Sequence, residues 1–189
     1  MIKKIFLVFT LVSCFFVNSN AQDLFGKGDK VVSLGVGVGS YLGGSGYKMS
    51  VPPIFASYDH CIIDGLINDK ASIGVGGYVA YSANKWETSY GNYDYGYKYQ
   101  YMILGARGTF HYQPLNKLDT YAGVMLGYDI VSSKYYGDKE YGSLSSASGS
   151  EFAYSAFVGA RYYFSDNFAA FAEAGYGIAA LELGISFKF

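Results

Sequence analysis

The stretch LELGISFKF, Leu181 to Phe189, sets two unlike faces on one run of residues. Leu181, Leu183, Ile185, Phe187 and Phe189 alternate with Glu182, Gly184, Ser186 and Lys188. Strict alternation of this kind predicts a strand, because successive side chains of a strand point to opposite sides. One side is greasy and carries no charge; the other holds an acid and a base. The same two-sidedness recurs upstream. Six strands and more can be drawn from it, and the count reaches eight: about 30–40, 51–62, 71–82, 97–112, 120–131, 151–164, 167–177 and 181–189. The Ala-rich run 168–184 could pass for a helix, but Gly175-Tyr176-Gly177 breaks it and Glu173 and Glu182 interrupt any apolar span. Pro52-Pro53 opens the second strand, where proline is tolerated.

The charges test this reading by parity. Arg107 and Arg161 are the only arginines, and each falls mid-strand. Pointing Arg107 inward sends Met102, Leu104, Ala106, Gly108, Phe110 and Tyr112 outward. Arg161 inward sends Phe152, Tyr154, Ala156, Val158, Ala160, Tyr162 and Phe164 outward. Asp129 inward does the same for Ala122, Val124, Leu126, Tyr128 and Ile130. Glu173 inward leaves Phe168, Ala170, Ala172, Ala174, Tyr176 and Ile178 outward. Each outward face is free of Lys, Arg, Asp and Glu. An Arg at mid-bilayer costs about 2–4 kcal/mol on a lipid-facing wall. Two misplaced arginines would therefore cost roughly 4–8 kcal/mol, against a typical net stability of ~5–15 kcal/mol. The register is strongly specified.

Bulk composition agrees. Aromatic residues make up 19% of the chain and charged residues 15%, well under the share of about 25% usual in a soluble domain. Mean hydropathy is only +0.13, low for a helical membrane bundle. Apolar surface is spread thinly along the chain, as alternation requires. The connections alternate in length: long ones at about 41–50, 83–96 and 132–150, shorter ones at about 63–70, 113–119 and 165–166, with a short one near 178–180. Long loops at one end and short turns at the other are the pattern of a membrane-spanning antiparallel barrel. The fold expected is all-β, an eight-stranded antiparallel up-and-down transmembrane β-barrel.

The N-terminus reads as a secretory signal over 1–21. Lys3 and Lys4 form its positive region, Ile5 to Val17 its apolar run, and Ser19-Asn20-Ala21 its cleavage site. The run is too short to span a bilayer, which takes roughly 17–25 residues. Leu11-Val12-Ser13-Cys14 resembles a lipidation box, but Phe15 and Phe16 continue the apolar run past the cysteine. The barrel domain then occupies 22–189. It retains 12 basic against 15 acidic residues, with no basic patch for nucleic acid. Cys61 is its single thiol, which excludes an internal disulfide and a four-cysteine zinc site.

The ordered set SIGVGGYVAY, ILGARGTFHY, AGVMLGYDI, FVGARYYF and FAEAGYGIA, with the alternating final strand, resembles the small eight-stranded bacterial outer-membrane barrels, similar to OmpX and the OmpA transmembrane domain. The resemblance covers nearly all of 22–189. It implies an integral outer-membrane protein of a Gram-negative cell envelope. It also implies that Leu181, Leu183, Ile185, Phe187 and Phe189 form a C-terminal assembly signal read by the barrel-assembly machinery. No peptidoglycan-binding domain is expected after the barrel, so tethering of that type is not implied.

An eight-stranded barrel has an interior that side chains just fill. Asp59, Arg107, Asp129, Arg161, Glu173, Glu182 and Lys188 are expected there as a mutually paired charge network. The expected role is structural and interactive, with no catalytic residues, cofactor or metal. The expected partners are membrane lipid and a surface glycan or protein met at loops 83–96 and 132–150. The Tyr-rich tract Tyr90 to Tyr101 can serve such a partner, or form an aromatic girdle on a strand pair that extends past the membrane. A narrow channel is the alternative, through a wet path in the charged core. A lipid-modifying enzyme is disfavoured, since His60 and His111 fall beside short turns, far from the long loops. A soluble ligand-binding barrel would invert the parity. Glycines of GVGVGS in the first strand face inward and leave room for larger side chains opposite.

Overall fold

The computed structural model describes residues 24–42, 46–90, 93–136 and 147–189. Eight strands follow one another: β1 (Lys30–Ser40), β2 (Lys48–Gly65), β3 (Ala71–Tyr90), β4 (Tyr93–Leu115), β5 (Leu118–Tyr136), β6 (Ala147–Tyr163), β7 (Phe168–Tyr176) and β8 (Ala179–Lys188). Each pairs antiparallel with its sequence neighbour, and β1 pairs with β8, so the sheet closes into a barrel. Closure satisfies every strand edge, the condition for a sheet in hydrocarbon. The segment 1–21 expected to be a secretory signal, with Cys14, lies outside the described residues.

The parity predicted from the charges holds along the walls. Arg107 and Arg161 are 3% and 0% exposed, while Leu104, Val124 and Val158 stand 47–60% exposed on the opposite face. Leu181, Leu183, Ile185, Phe187 and Phe189 are exposed, and Glu182, Ser186 and Lys188 are buried behind them. Charge therefore lies within and apolar surface lies without, the inverse of a soluble ligand-binding barrel.

Three local readings change. The connection expected at 83–96 is strand: β3 and β4 stay paired from Ala83↔Gln100 to Tyr90↔Tyr93. The β3 half, Ala83 to Tyr90, carries no apolar alternation, while the β4 half alternates tyrosine with Asp94, Gly96, Lys98 and Gln100, a mix of residues that reads as a loop by composition. Ile178, expected outward, is buried among Phe55, Tyr78, Met125 and Phe171. Gly177 turns the chain at φ 121° and flips the alternation there, a conformation favouring glycine. Pro52 and Pro53 lie inside β2, where the ladder to β3 shifts register between Met49 and Ile54, so proline occupies an irregularity and breaks no regular bond.

The two ends differ. Three tight connections share one end with the start of β1 and with Phe189. The last residues of β1, β3, β5 and β7 and the first of β2, β4, β6 and β8 share the other. These are called the terminal end and the loop end. At the terminal end, residues 24–29 fold across the mouth. Leu24 donates its N–H to Gln113 Oε1 at 3.0 Å, Gly28 donates to the Cys61 carbonyl at 3.0 Å, and Lys27 donates to Asp64 Oδ2 at 2.8 Å. Phe25 is 0% exposed, its ring centred 4.1 Å from that of His111.

Candidate functional site

The interior begins with a carboxylate between two guanidinium groups. Asp59 of β2 meets Arg107 Nε at 3.1 Å and pairs through its other oxygen with Arg161 Nη2. Arg107 reaches on to Glu173 Oε1 at 2.9 Å, and the Tyr121 hydroxyl donates to the same oxygen at 2.8 Å. Arg161 Nη1 lies 3.6 Å from Asp119 Oδ2. His111 Nδ1 lies 2.9 Å from that oxygen, and His111 Nε2 lies 2.9 Å from Thr109 Oγ1. The chain of contacts thus runs Glu173–Arg107–Asp59–Arg161–Asp119–His111–Thr109 through the barrel. Arg107 also covers the Phe157 ring at 4.4 Å and Arg161 the Tyr121 ring at 4.6 Å, so each cation meets an aromatic face as well as an anion.

Small residues let these groups meet across a strand. Asp59 and Arg107 share a register row with Gly76 between them. Tyr121 and Glu173 share a row with Gly159 between them. A Cβ on Gly159 would lie 2.6 Å from the Tyr121 ring and 2.8 Å from the Glu173 side chain. Phe55 and Phe171 meet edge to face at 5.9 Å over the row Gly35–Gly184. The inward glycines of the first strand are therefore half of a device that recurs around the wall: a strand with no side chain lets its two neighbours touch.

Of the seven interior charges expected from sequence, the structure brings four into direct contact: Asp59, Arg107, Arg161 and Glu173. Glu182 faces Glu173 across β7–β8 and accepts from the Tyr78 hydroxyl at 2.9 Å. Lys188 sits nearer the terminal mouth, 3.5 Å from Asp29 Oδ2 and 5.9 Å from the Tyr163 ring centre. Asp129 stands apart, half-buried toward the loop end and opposite Glu151 of β6. Sequence reasoning missed Asp119 by placing it in a turn; it lies in β5, 0% exposed. Counting back by twos from Asp129 through Met125 and Tyr121 would have found it. Both ring nitrogens of His111 are engaged and the ring is 0% exposed, so it is a packed member of the core. His60 lies at outward parity, half-buried.

A small cavity adjoins the charge network. Its volume is about 20 Å³, and it is lined by Tyr78, Arg107, Met125, Phe157, Glu173 and Glu182. That is room for about one water.

At the loop end, β3, β4 and β5 rise past the apolar belt, and tyrosines of β4 meet Tyr135 of β5 and Tyr47 just before β2. Tyr97 and Tyr135 rings lie 5.5 Å apart, and Tyr47 and Tyr99 5.2 Å apart. Residues 137–146, the middle of the predicted loop 132–150, lie outside the described residues.

No family model and no curated protein matches the sequence. Solved structures do. Ail, the attachment invasion locus protein of Yersinia pestis, in complex with the heparin analogue sucrose octasulfate, matches at TM-score 0.55 and 16% identity, over 86% of this chain and 99% of that one. A second structure of Ail matches at TM-score 0.52 and 15% identity, over 86% and 99%. The N-terminal β-barrel domain of Pseudomonas aeruginosa OprF aligns at TM-score 0.49 and 14% identity, over 87% and 98%. What the likeness to Ail shows is the fold, with its eight antiparallel strands in a closed ring. The chain has the fold of the small eight-stranded outer-membrane β-barrels.

Proposed function

We propose that this protein is an integral outer-membrane barrel whose role is to hold a rigid, side-chain-filled scaffold and present a tyrosine-rich hairpin at the cell surface. The observation that carries the reading is the continuation of β3 and β4, paired to Tyr90↔Tyr93, beyond a core closed by ion pairs. A core so filled serves a scaffold better than a conduit. The loop end is assigned to the exterior and the terminal end to the periplasm, following the pattern of long loops outside and short turns inside. In this reading the charge network Asp59, Arg107, Arg161 and Glu173 locks the scaffold, with Glu182, Lys188 and Asp129 flanking it. The outward row Leu181, Leu183, Ile185, Phe187 and Phe189 is the assembly signal.

The ligand class favoured at the hairpin is a glycan. Paired tyrosines such as Tyr97 and Tyr135 offer apolar ring faces with hydroxyl tips, the combination that stacks on sugar rings and hydrogen-bonds their edges. Ail, similar in fold, has been crystallised with a sulfated sugar analogue. The test is a glycan-array comparison of the folded barrel in detergent with a variant whose residues 86–97 are replaced by a short Gly-Ser turn and which also carries Tyr135→Ala. Sugar binding lost with the hairpin, while unboiled gel mobility stays that of a folded barrel, supports the proposal. Equal binding by both proteins refutes it.

A further inference from the structure

Four lysines stand in one register row across four neighbouring strands. Lys48 of β2 is paired with Lys85 of β3, Lys85 with Lys98 of β4, and Lys98 with Lys134 of β5. Directly paired residues share a face of the sheet. The even positions of β4 below Lys98 include Met102 and Leu104, both exposed on the outer wall, so the row points the same way as the lipid-facing surface. Lys48 and Lys134 are exposed; Lys85 and Lys98 are half-buried. At a strand spacing of 4.7–4.9 Å the row runs roughly 14 Å around the barrel.

Its height matters as much as its sequence. One same-face step below come Ala83, Gln100 and Ser132, and one step further Tyr81, Met102 and Ile130. Each step is about 6.7 Å along a strand. The lysines thus lie just above the upper edge of the apolar belt, at the depth where lipid headgroups begin. Like charges directly opposite on adjacent strands repel. Among the described residues none of the four makes an ion pair. Glu87 is the next residue above Lys85 on that face, while Asp129 and Glu151 pair with each other's strands on the inward side. Among the described residues this row of cations has no ion-paired counter-charge, and such an arrangement is stabilised when an anion supplies one.

We infer that Lys48, Lys85, Lys98 and Lys134 form a binding site for the phosphate groups of phosphorylated lipid headgroups in the surrounding leaflet. An ammonium on a long flexible stem suits a mobile phosphate, since its apolar stem lies along the wall while its head reaches the headgroup plane. A lipid ligand is favoured over a soluble one because the row faces sideways over the greasy wall, away from the hairpin tip. The inference goes beyond the glycan proposal and rests only on the membrane-spanning reading.

The experiment folds residues 22–189 into phosphatidylcholine vesicles with and without bisphosphorylated lipid A. It compares wild type with the quadruple variant K48Q/K85Q/K98Q/K134Q. A terminal-end set, K27Q/K30Q/K70Q/K117Q, removes the same charge elsewhere, and K48R/K85R/K98R/K134R keeps the row cationic. Lipid A should raise the unfolding temperature of wild type, the Arg variant and the terminal-end set, and leave that of the Gln row variant unmoved. Apparent affinity for lipid A should fall roughly fivefold per lysine removed. Unboiled gel mobility reports that each variant is folded. An equal lipid A response in wild type and the Gln row variant overturns the inference, as does an equal loss in the terminal-end set. So does a Gln row variant that keeps lipid A but loses sucrose octasulfate, which would assign the row to a soluble polyanion. Failure of every protein to enter either vesicle would overturn the membrane reading itself.

Discussion

Arg161 is cut off from water, and its guanidinium answers two carboxylates, Asp59 and Asp119. Removing the cation would leave both anions buried with one partner fewer. Breaking a buried pair from one side costs about 3–5 kcal/mol. Arg161→Leu should therefore lower the urea midpoint of the vesicle-folded barrel by that equivalent, and Lys30→Leu, at the exposed start of β1, should leave it nearly unmoved. Phe25 is a second case. Its ring fills the terminal mouth against His111, Val31 and Cys61, and truncation to Ala should cost about 3–5 kcal/mol in the same measurement. The arginines were legible in the sequence because a lone Arg inside an apolar alternation has one tolerable direction. Phe25 was not. It precedes the first strand, where no periodicity exists to say which way a ring points, and only the hydrogen bonds of residues 24–29 to β2 and Gln113 fix it.

Along β5 the alternation supports a graded prediction. Leu126 and Met125 are adjacent in sequence and on opposite sides of the wall, 55% and 1% exposed. Leu126→Arg should destabilise the membrane-folded state by about 2–4 kcal/mol, and Ser132→Arg, three pleat repeats nearer the headgroups, by about 0–1 kcal/mol, as refolding equilibria in vesicles would show. Equal costs at both depths would contradict a lipid-facing wall. Strand existence could be read because each strand crosses an apolar belt that demands period two. Strand ends could not. Past the belt β3 shows no apolar alternation from Ala83 to Tyr90, and in β4 tyrosine keeps every odd position from Tyr93 to Tyr101, a period-two signal hidden by a composition of Tyr, Gly and Asp that is equally common in loops. Asp119 was lost for the same reason at the other end: it follows a polar turn and is the first inward residue of β5. Ile178 failed because a single positive φ at Gly177 resets the count.

For the whole molecule, closure and filling make two statements. A closed ladder resists detergent, so the unboiled protein should migrate differently from the boiled one on a denaturing gel. A core holding a cavity of about 20 Å³ should show no stepwise current in planar-bilayer recordings. The closing seam has a further consequence. Lys30 and Phe189 exchange backbone hydrogen bonds at 3.1 and 2.9 Å, so the two ends of the barrel domain lie side by side. A chain re-cut at 91–92, with its original ends joined by a short linker, would keep every rung of the cylinder while moving Phe189 to the middle of the polypeptide. Such a rearranged protein should still refold in lipid when purified, and, on the proposed reading of the last strand, reach the envelope poorly in living cells, because its geometry would survive while its address label would not; normal delivery in cells would refute that reading.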